Sequence, residues 1–289
     1  MKEKLTITEL FDTYNLPNII LYAGPIMIAL AFVEMYISWR GQKGLYEKKD
    51  FIASLTIGIG YIIQGLFTKT LLFIVALWAY NISPLYIKPT WWSYILCFFV
   101  LDFCRYWAHR LGHETNFLWA THVTHHNSDK YNFSTSFRLS WTQQIKIIFF
   151  IPVSLLGFHP VVFFICHQIA VLYQFWIHTE LIRKMPAWFE FFFTTPSHHR
   201  VHHAKNDKYL DRNYGSTFII FDRIFGTFQP EEEQPIYGIK NPVKGYNPLR
   251  LVFHVWVDIF KNLLKARSLK ESYAILFKAP GKYNPEDYD

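Results

Sequence analysis

Three short blocks hold most of the chain's 13 histidines: His109-Arg-Leu-Gly-His113, His122-Val-Thr-His125-His126 and His198-His199-Arg-Val-His202-His203. On a helix, residues three or four apart share a face. His109 with His113, His122 with His125 and His126, and His199 with His202 and His203 can therefore each aim imidazoles into one volume. Neutral imidazole binds iron, zinc, copper and nickel, and the lack of clustered thiolates argues against copper(I) and iron–sulfur chemistry. A single tetrahedral zinc takes only three or four protein ligands, and the first two blocks alone offer more, so the count favours a pair of metal ions. His178, in Tyr173-Gln-Phe-Trp-Ile-His178-Thr-Glu180, is either a satisfied interfacial histidine or a further ligand. His159, His167 and His254 stand alone and are expected to be structural, although His167 shares a helical stripe with Val171, Gln174 and His178 from which it could support the site. Glu114, Glu180 and Asp211 lie beside the blocks as candidates to accept imidazole N–H bonds; surface charge or local capping is the alternative. Asn213-Tyr-Gly215 suggests a tight turn beneath the site, and Asp222-Arg223 an ion pair with each other or with neighbours.

The elements that carry these blocks are apolar. Hydrophobic residues make up 51% of the 289 and aromatic ones 19%, more than a soluble fold usually holds, which places the chain in a membrane class. The formal charge of +7 is not matched by a basic stripe, zinc-finger spacing or an RNA-binding aromatic motif, so nucleic acid is not an expected partner. The excess Lys and Arg fit loops near anionic lipid headgroups on the cytoplasmic side. Spans are expected at about 18–38, 51–80 (one tilted helix or a broken pair) and 91–108. A further apolar stretch, about 145–177, is interrupted at Gly157-Phe-His-Pro160 and reads as a helical hairpin that enters and leaves on one side. The basic loop Arg40 to Lys49 is assigned to the cytoplasm, which brings His109 and then His178 out on that same face. The expected architecture is all-α: one multi-pass membrane domain over residues 1–289, with a cytoplasmic histidine-rich helical cap formed by 109–144 and 179–289. Cys97, Cys104 and Cys166 sit in apolar stretches with no CxxC, so neither a disulfide framework nor a thiolate site is indicated. The N-terminal stretch lacks the apolar core and cleavage site of a signal peptide, and insertion is expected to depend on the internal spans.

At the histidine blocks the sequence resembles the fatty acid hydroxylase and sterol desaturase superfamily, with its His-x3–4-His, His-x2–3-His-His and final His-x2–3-His-His. Within it, the similarity is greatest to the alkylglycerol monooxygenase branch and its bacterial relatives. The matching stretches are His109 to Glu114, His122 to His126 leading to Tyr131-Asn132, Leu172 to Glu180, Thr195 to His203, Asn213-Tyr-Gly215 and Asp222 to Phe228. The resemblance implies a non-haem di-iron centre, O2 as co-substrate and oxidation of a membrane lipid. It implies ligands at His109, His113, His122, His125, His126, His199, His202 and His203, with His178 as an additional position; His198 is either a ligand or a residue that orients one. It also implies an external electron donor or reductase. Animal members of the branch use tetrahydrobiopterin and have longer chains, which leaves the reductant here open.

Hydroxylation beside an ether oxygen would give a hemiacetal and so cleave an alkylglycerol ether; other lipid chemistries compete with that, because histidines specify the oxidant and scarcely the substrate: hydroxylation or desaturation of a sterol, carotenoid or fatty acyl chain. A zinc-dependent membrane hydrolase and a non-catalytic metal-binding protein are the readings outside the oxygenase class. Bacterial inner membrane and endoplasmic reticulum are both compatible locations.

Overall fold

The computed structural model describes residues 4–14 and 19–288, the side chains of 11–14 and 69 excepted. Asn18, where the sequence places the start of the first span, lies outside the described residues. The described residues are helical, with only three isolated β-bridges. In chain order the helices are α1 (Ile7–Tyr14), α2 (Ile19–Arg40), α3 (Lys48–Ile82), α4 (Trp91–Glu114), α5 (Asn116–Trp119), α6 (Val123–His126), α7 (Ile151–Leu155), α8 (Pro160–Trp176), α9 (Ala187–Phe192), α10 (Pro196–His203), α11 (Ile220–Ile224), α12 (Pro248–Leu263) and α13 (Leu269–Phe277), with 3-10 turns at Phe133–Phe137 and Gln143–Phe150.

Two of these, α2 and the Lys48–Thr68 part of α3, are long and apolar enough to cross a membrane. They leave large apolar side chains outward, among them Leu21, Tyr22, Ile62, Leu66 and Phe67. A helix that is apolar on all sides and packed on few of them suits a lipid solvent better than water. The open choice over residues 51–80 resolves to one continuous helix, for α3 runs 35 residues without a break. At 1.5 Å per residue it is about 52 Å long, well beyond a hydrocarbon layer of about 30 Å.

The stretch over 145–177 breaks between α7 and α8, and the break has a physical cause. Gly157 adopts φ +88°, and a side chain there would begin 2.6 Å from the backbone of Leu85. Pro160 then starts α8, with His159 as its N-cap. The turn docks on the loop after α3 through Ile87 N to Gly157 O at 2.9 Å and Ser83 Oγ to Leu155 O at 2.6 Å. α8 packs along α4 around Cys97, Leu101, Val162, Phe163 and Cys166, and all three cysteines are free and buried. That pairing carries the end of α8 to the end of α4, where the histidines begin.

The remaining helices close over these ends. Arg138, 1% exposed, ties them together. It donates to Asp50 Oδ1 at the start of α3 (2.9 Å), to the Thr124 carbonyl of α6 (3.3 Å) and to Asn127 Oδ1. Glu34, 1% exposed, does the same for α2, accepting from Tyr46 Oη at 2.6 Å, Phe133 N at 2.7 Å and Thr179 Oγ1.

Candidate metal centre

Four segments deliver the imidazoles. His109 and His113 lie one turn apart on the last turns of α4; His122 caps α6, which carries His125 and His126. His178 follows directly on the C-cap of α8, and the short α10 supplies His199, His202 and His203. Nine imidazoles collect into two adjoining groups: His109, His113, His122, His126 and His202 in one, and His125, His178, His199 and His203 in the other. Within each group the donor nitrogens all lie within 4.8 Å of one another. The groups touch where the rings of His126 and His203 stack at 4.3 Å.

The donor set fits metal ions better than it fits itself. His109, His178 and His202 point Nδ1 at the carbonyls of Tyr214 (2.8 Å), Gln174 (2.6 Å) and Arg212 (2.9 Å). A carbonyl only accepts, so Nδ1 carries the proton and a neutral ring presents a bare Nε2 lone pair. Burial pulls His122, His125, His126, His199, His202 and His203 well below the ordinary imidazole value, and takes His178 down to about 4, so the rings are neutral.

Five close Nε2···Nε2 contacts result: His109–His122 at 2.9 Å, His126–His122, His178–His125 and His203–His125 at 3.1 Å, and His199–His178 at 3.0 Å. A neutral ring nitrogen has one proton or one lone pair, hence one hydrogen bond. His122, His125 and His178 each stand in two contacts, so the five cannot all be hydrogen bonds. These spacings match the edge of an octahedron with metal–nitrogen bonds of about 2.1 Å, which is about 3.0 Å. His113 Nε2, His202 Nε2, His125 Nδ1 and His199 Nδ1 are buried without any hydrogen-bond partner. Orphaned polar atoms are rare in folded interiors, and these four sit in the two groups.

Neutral packing has a consequence for acid stability. An unfolded imidazole takes its proton near about 6.5, whereas folded His178 resists to about 4, so between those values the unfolded state binds more protons and stability falls as pH falls. Metal-free protein is expected to lose up to about 1.4 kcal/mol per pH unit through His178 alone across that window. Thermal unfolding of chelator-treated protein at pH 7.5 and pH 5 reads this directly; equal midpoints would contradict it.

His198 belongs to neither group. It occupies the third position of α10, where its Nδ1 accepts from Thr195 N at 3.3 Å and closes a capping box with Thr195, and its ring lies against Phe228. Of the acidic neighbours, only Asp211 approaches an imidazole, 3.7 Å from His113 Nδ1 and largely exposed. Glu114 pairs with Arg110 at 2.8 Å, and Glu180 makes no hydrogen bond to an imidazole among the described residues. His159 caps α8, and His254 Nδ1 lies 3.2 Å from the Leu251 carbonyl.

Backbone carbonyls orient the rings where the sequence suggested carboxylates. The turn that supplies two of them is built for the purpose: Asp211 and Asn213 adopt φ near +57° and +56°, a region these residue types tolerate. Buried Asp222 accepts from Tyr214 N and Gly215 N, both at 2.7 Å, and from Thr227 Oγ1 at 2.6 Å. A side chain on Gly215 would begin 2.8 Å from Phe218 O, so the turn beneath the site needs glycine for closeness. Arg223 does not pair with Asp222; it lies over the Phe228 ring at 3.7 Å. Arg200, inside the third block, faces away and grips Glu231 at 2.6 Å through both Nε and Nη2.

Residues 94–227 match the fatty acid hydroxylase family model. The chain is 35% identical over 273 residues to human alkylglycerol monooxygenase, covering 92% of this chain and 60% of that one, and 35% identical over 272 residues to the zebrafish (Danio rerio) protein of the same name, with the same coverage. It is also similar to an ornithine lipid hydroxylase of Rhizobium tropici, at 30% identity over 171 residues, 55% of this chain and 49% of the relative. The chain thus spans about 60% of the length of the alkylglycerol monooxygenases it matches. No solved structure matches it significantly. The stretch that matches the family model contains every member of both histidine groups.

Proposed function

We propose that the protein is a multi-pass membrane oxygenase that uses O2 to hydroxylate a C–H bond of a lipid, and that an alkylglycerol ether is its substrate. The observation that carries this is the pair of adjoining groups of buried, neutral imidazoles with convergent lone pairs, set in the stretch that matches the fatty acid hydroxylase family model. His109, His113, His122, His126 and His202 would hold one iron ion and His125, His178, His199 and His203 a second. When bound, the metal pair supplies O2 activation and the oxidising power that replaces a C–H hydrogen by hydroxyl.

The chain's own part is positional. The carbonyls of Gln174, Arg212 and Tyr214 fix which nitrogen of His178, His202 and His109 faces inward. The buried rings keep bulk water from the reacting centre. If the hydroxylated carbon adjoins an ether oxygen, the product is a hemiacetal, which collapses to an aldehyde and an alcohol. Electrons come from outside the chain, from a reductase or a tetrahydropterin.

The cytoplasmic orientation of the cap is supported by its contacts. The basic loop between α2 and α3 lies against it: Lys130 Nζ reaches Gly44 O at 2.8 Å, Asn132 Nδ2 reaches Leu45 O at 2.7 Å and Tyr246 Oη reaches Glu47 at 2.8 Å. Arg40, Lys43, Lys48 and Lys49 in and beside that loop favour the cytoplasmic face.

Anaerobic iron loading, metal quantification and O2 uptake with alkylglycerol, sterol and fatty acid substrates test the reading. Expected are about two irons per chain, substrate-dependent O2 consumption and release of a fatty aldehyde. One tightly held zinc and no O2 uptake with any reductant would overturn it.

A further inference from the structure

The helix α12 leaves an apolar stripe outward. At about 3.6 residues per turn, Leu249, Phe253, Val257, Phe260 and the C-cap Leu264 fall within about 80° of its circumference. Phe253 is half-buried and the other four are exposed. Single exposed apolar side chains are ordinary, but a continuous stripe about 22 Å long marks a surface that meets something apolar. Beside it on the circumference lie Arg250, His254, Lys261 and, just past the C-cap, Lys265; Asp258 is the one acidic residue of the helix.

The position of α12 says what covers the stripe. Tyr246, two residues before the helix, donates to Glu47, the N-cap of α3, at 2.8 Å. Leu251 and Val252 then pack on Ala53 and Ile57 of α3, about 8 to 14 Å from the start of that helix. At the other end Ile259 and Leu263 pack with Ala120, which directly follows α5. The helix therefore runs from the first turns of α3 to the end of α4, across the helix ends and not along a span. Because α3 exceeds the hydrocarbon thickness by about 20 Å, its first turns lie at the level of the headgroups. There α3 exposes Ile52, Leu55 and Ile59. Phe253 joins the stripe to this surface, packing on the same cluster and on Trp141 at 5.9 Å, whose Nε1 donates to Ile57 O at 2.9 Å.

We propose that α12 is an in-plane membrane helix whose apolar stripe lies in the bilayer interface and whose basic side binds the headgroups of anionic lipids. A lipid surface satisfies both halves of the exposed face at once: acyl chains cover the stripe, and phosphates meet Arg250, Lys261 and Lys265. The proposal rests on the membrane-spanning reading and is independent of the oxygenase chemistry.

The test places the full chain in nanodiscs of phosphatidylcholine with dibrominated acyl chains and reads the quenching of a bimane label at Phe260→Cys. Leu264→Cys is the second label site on the stripe, Asp258→Cys a site off it and Ile62→Cys a site on the span. The native cysteines are buried, and wild type carried through the labelling gives the blank. Labels on the stripe are expected to be quenched at least about twofold more than the label at 258. Quenching at 62 without quenching at 260 and 264 would overturn the proposal and leave the stripe to a protein partner; no quenching at 62 would instead remove the membrane-spanning reading on which it rests. The lipid retained by the chain from equimolar phosphatidylcholine and phosphatidylglycerol discs, weighed by native mass spectrometry, tests the basic side. Wild type is expected to enrich phosphatidylglycerol, and Arg250→Gln with Lys261→Gln and Lys265→Gln to lower that enrichment at least about fivefold. No enrichment in wild type, or an enrichment that the triple variant leaves unchanged, would overturn the proposal.

Discussion

His202→Ala and His125→Ala are each expected to abolish lipid oxidation, and to do so by emptying different halves of one centre. His202, on α10, belongs to the group with His109, His113, His122 and His126, and His125 to the group completed by His178, His199 and His203. Each variant should therefore fall from about two bound metal ions per chain to about one. Membrane insertion should persist, because neither change touches an apolar span. His198→Gln is the control: its ring caps α10 outside both groups, so metal content should hold while stability drops by about 1 kcal/mol. Elemental analysis of the purified variants, alongside O2 uptake, checks all three. Full metal content and activity in the His125 and His202 variants would remove the basis of the assignment.

The largest effect on stability is expected at Arg138. Arg138→Met leaves the carboxylate of Asp50, itself 5% exposed, without the charge it faces at 2.9 Å. Removing one partner of such a buried pair typically costs about 3–5 kcal/mol, whereas replacing both by apolar residues is often close to neutral. Arg138→Met should therefore unfold at much lower denaturant than wild type, and Arg138→Met with Asp50→Leu should recover most of the loss. Metal retention should weaken in parallel, because the same guanidinium holds the Thr124 carbonyl and the Asn127 side chain that flank His125 and His126. A single variant within about 1 kcal/mol of wild type would mean the pair is solvated and contributes little.

Much of the site is legible in the sequence because helical periodicity is a local property. The spacing of His109 and His113, and of His199, His202 and His203, determines that each set shares a face whatever surrounds it. The break between α7 and α8 is legible for a similar reason: Gly157 and Pro160 break a helix by their own covalent nature. The continuity of α3 is not legible, since a long apolar stretch without caps permits one helix or two and only packing selects between them. A signal for the role of His198 does exist: Thr195-Pro-Ser-His198 has the layout of a capping box with histidine in the place usually held by Glu or Gln.

The ring orienters were beyond reach for a different reason. Glu114, Glu180 and Asp211 are candidates by proximity in sequence, but Glu114 turns to Arg110 and only Asp211 comes near a ring. The task falls to carbonyls at Gln174, Arg212 and Tyr214, and every residue has a carbonyl, so no residue type marks these positions. The sequence by itself determined that there would be apolar helices, three histidine faces and a helix break between the second and third of them, because those follow from residue type and short-range spacing. The tertiary structure alone decided that nine of the ten candidate imidazoles would meet, that they would divide into two groups, and which nitrogen each oriented ring would offer. Those outcomes depend on contacts between segments as far apart in the chain as His109 and Tyr214, and local spacing carries no information about such contacts.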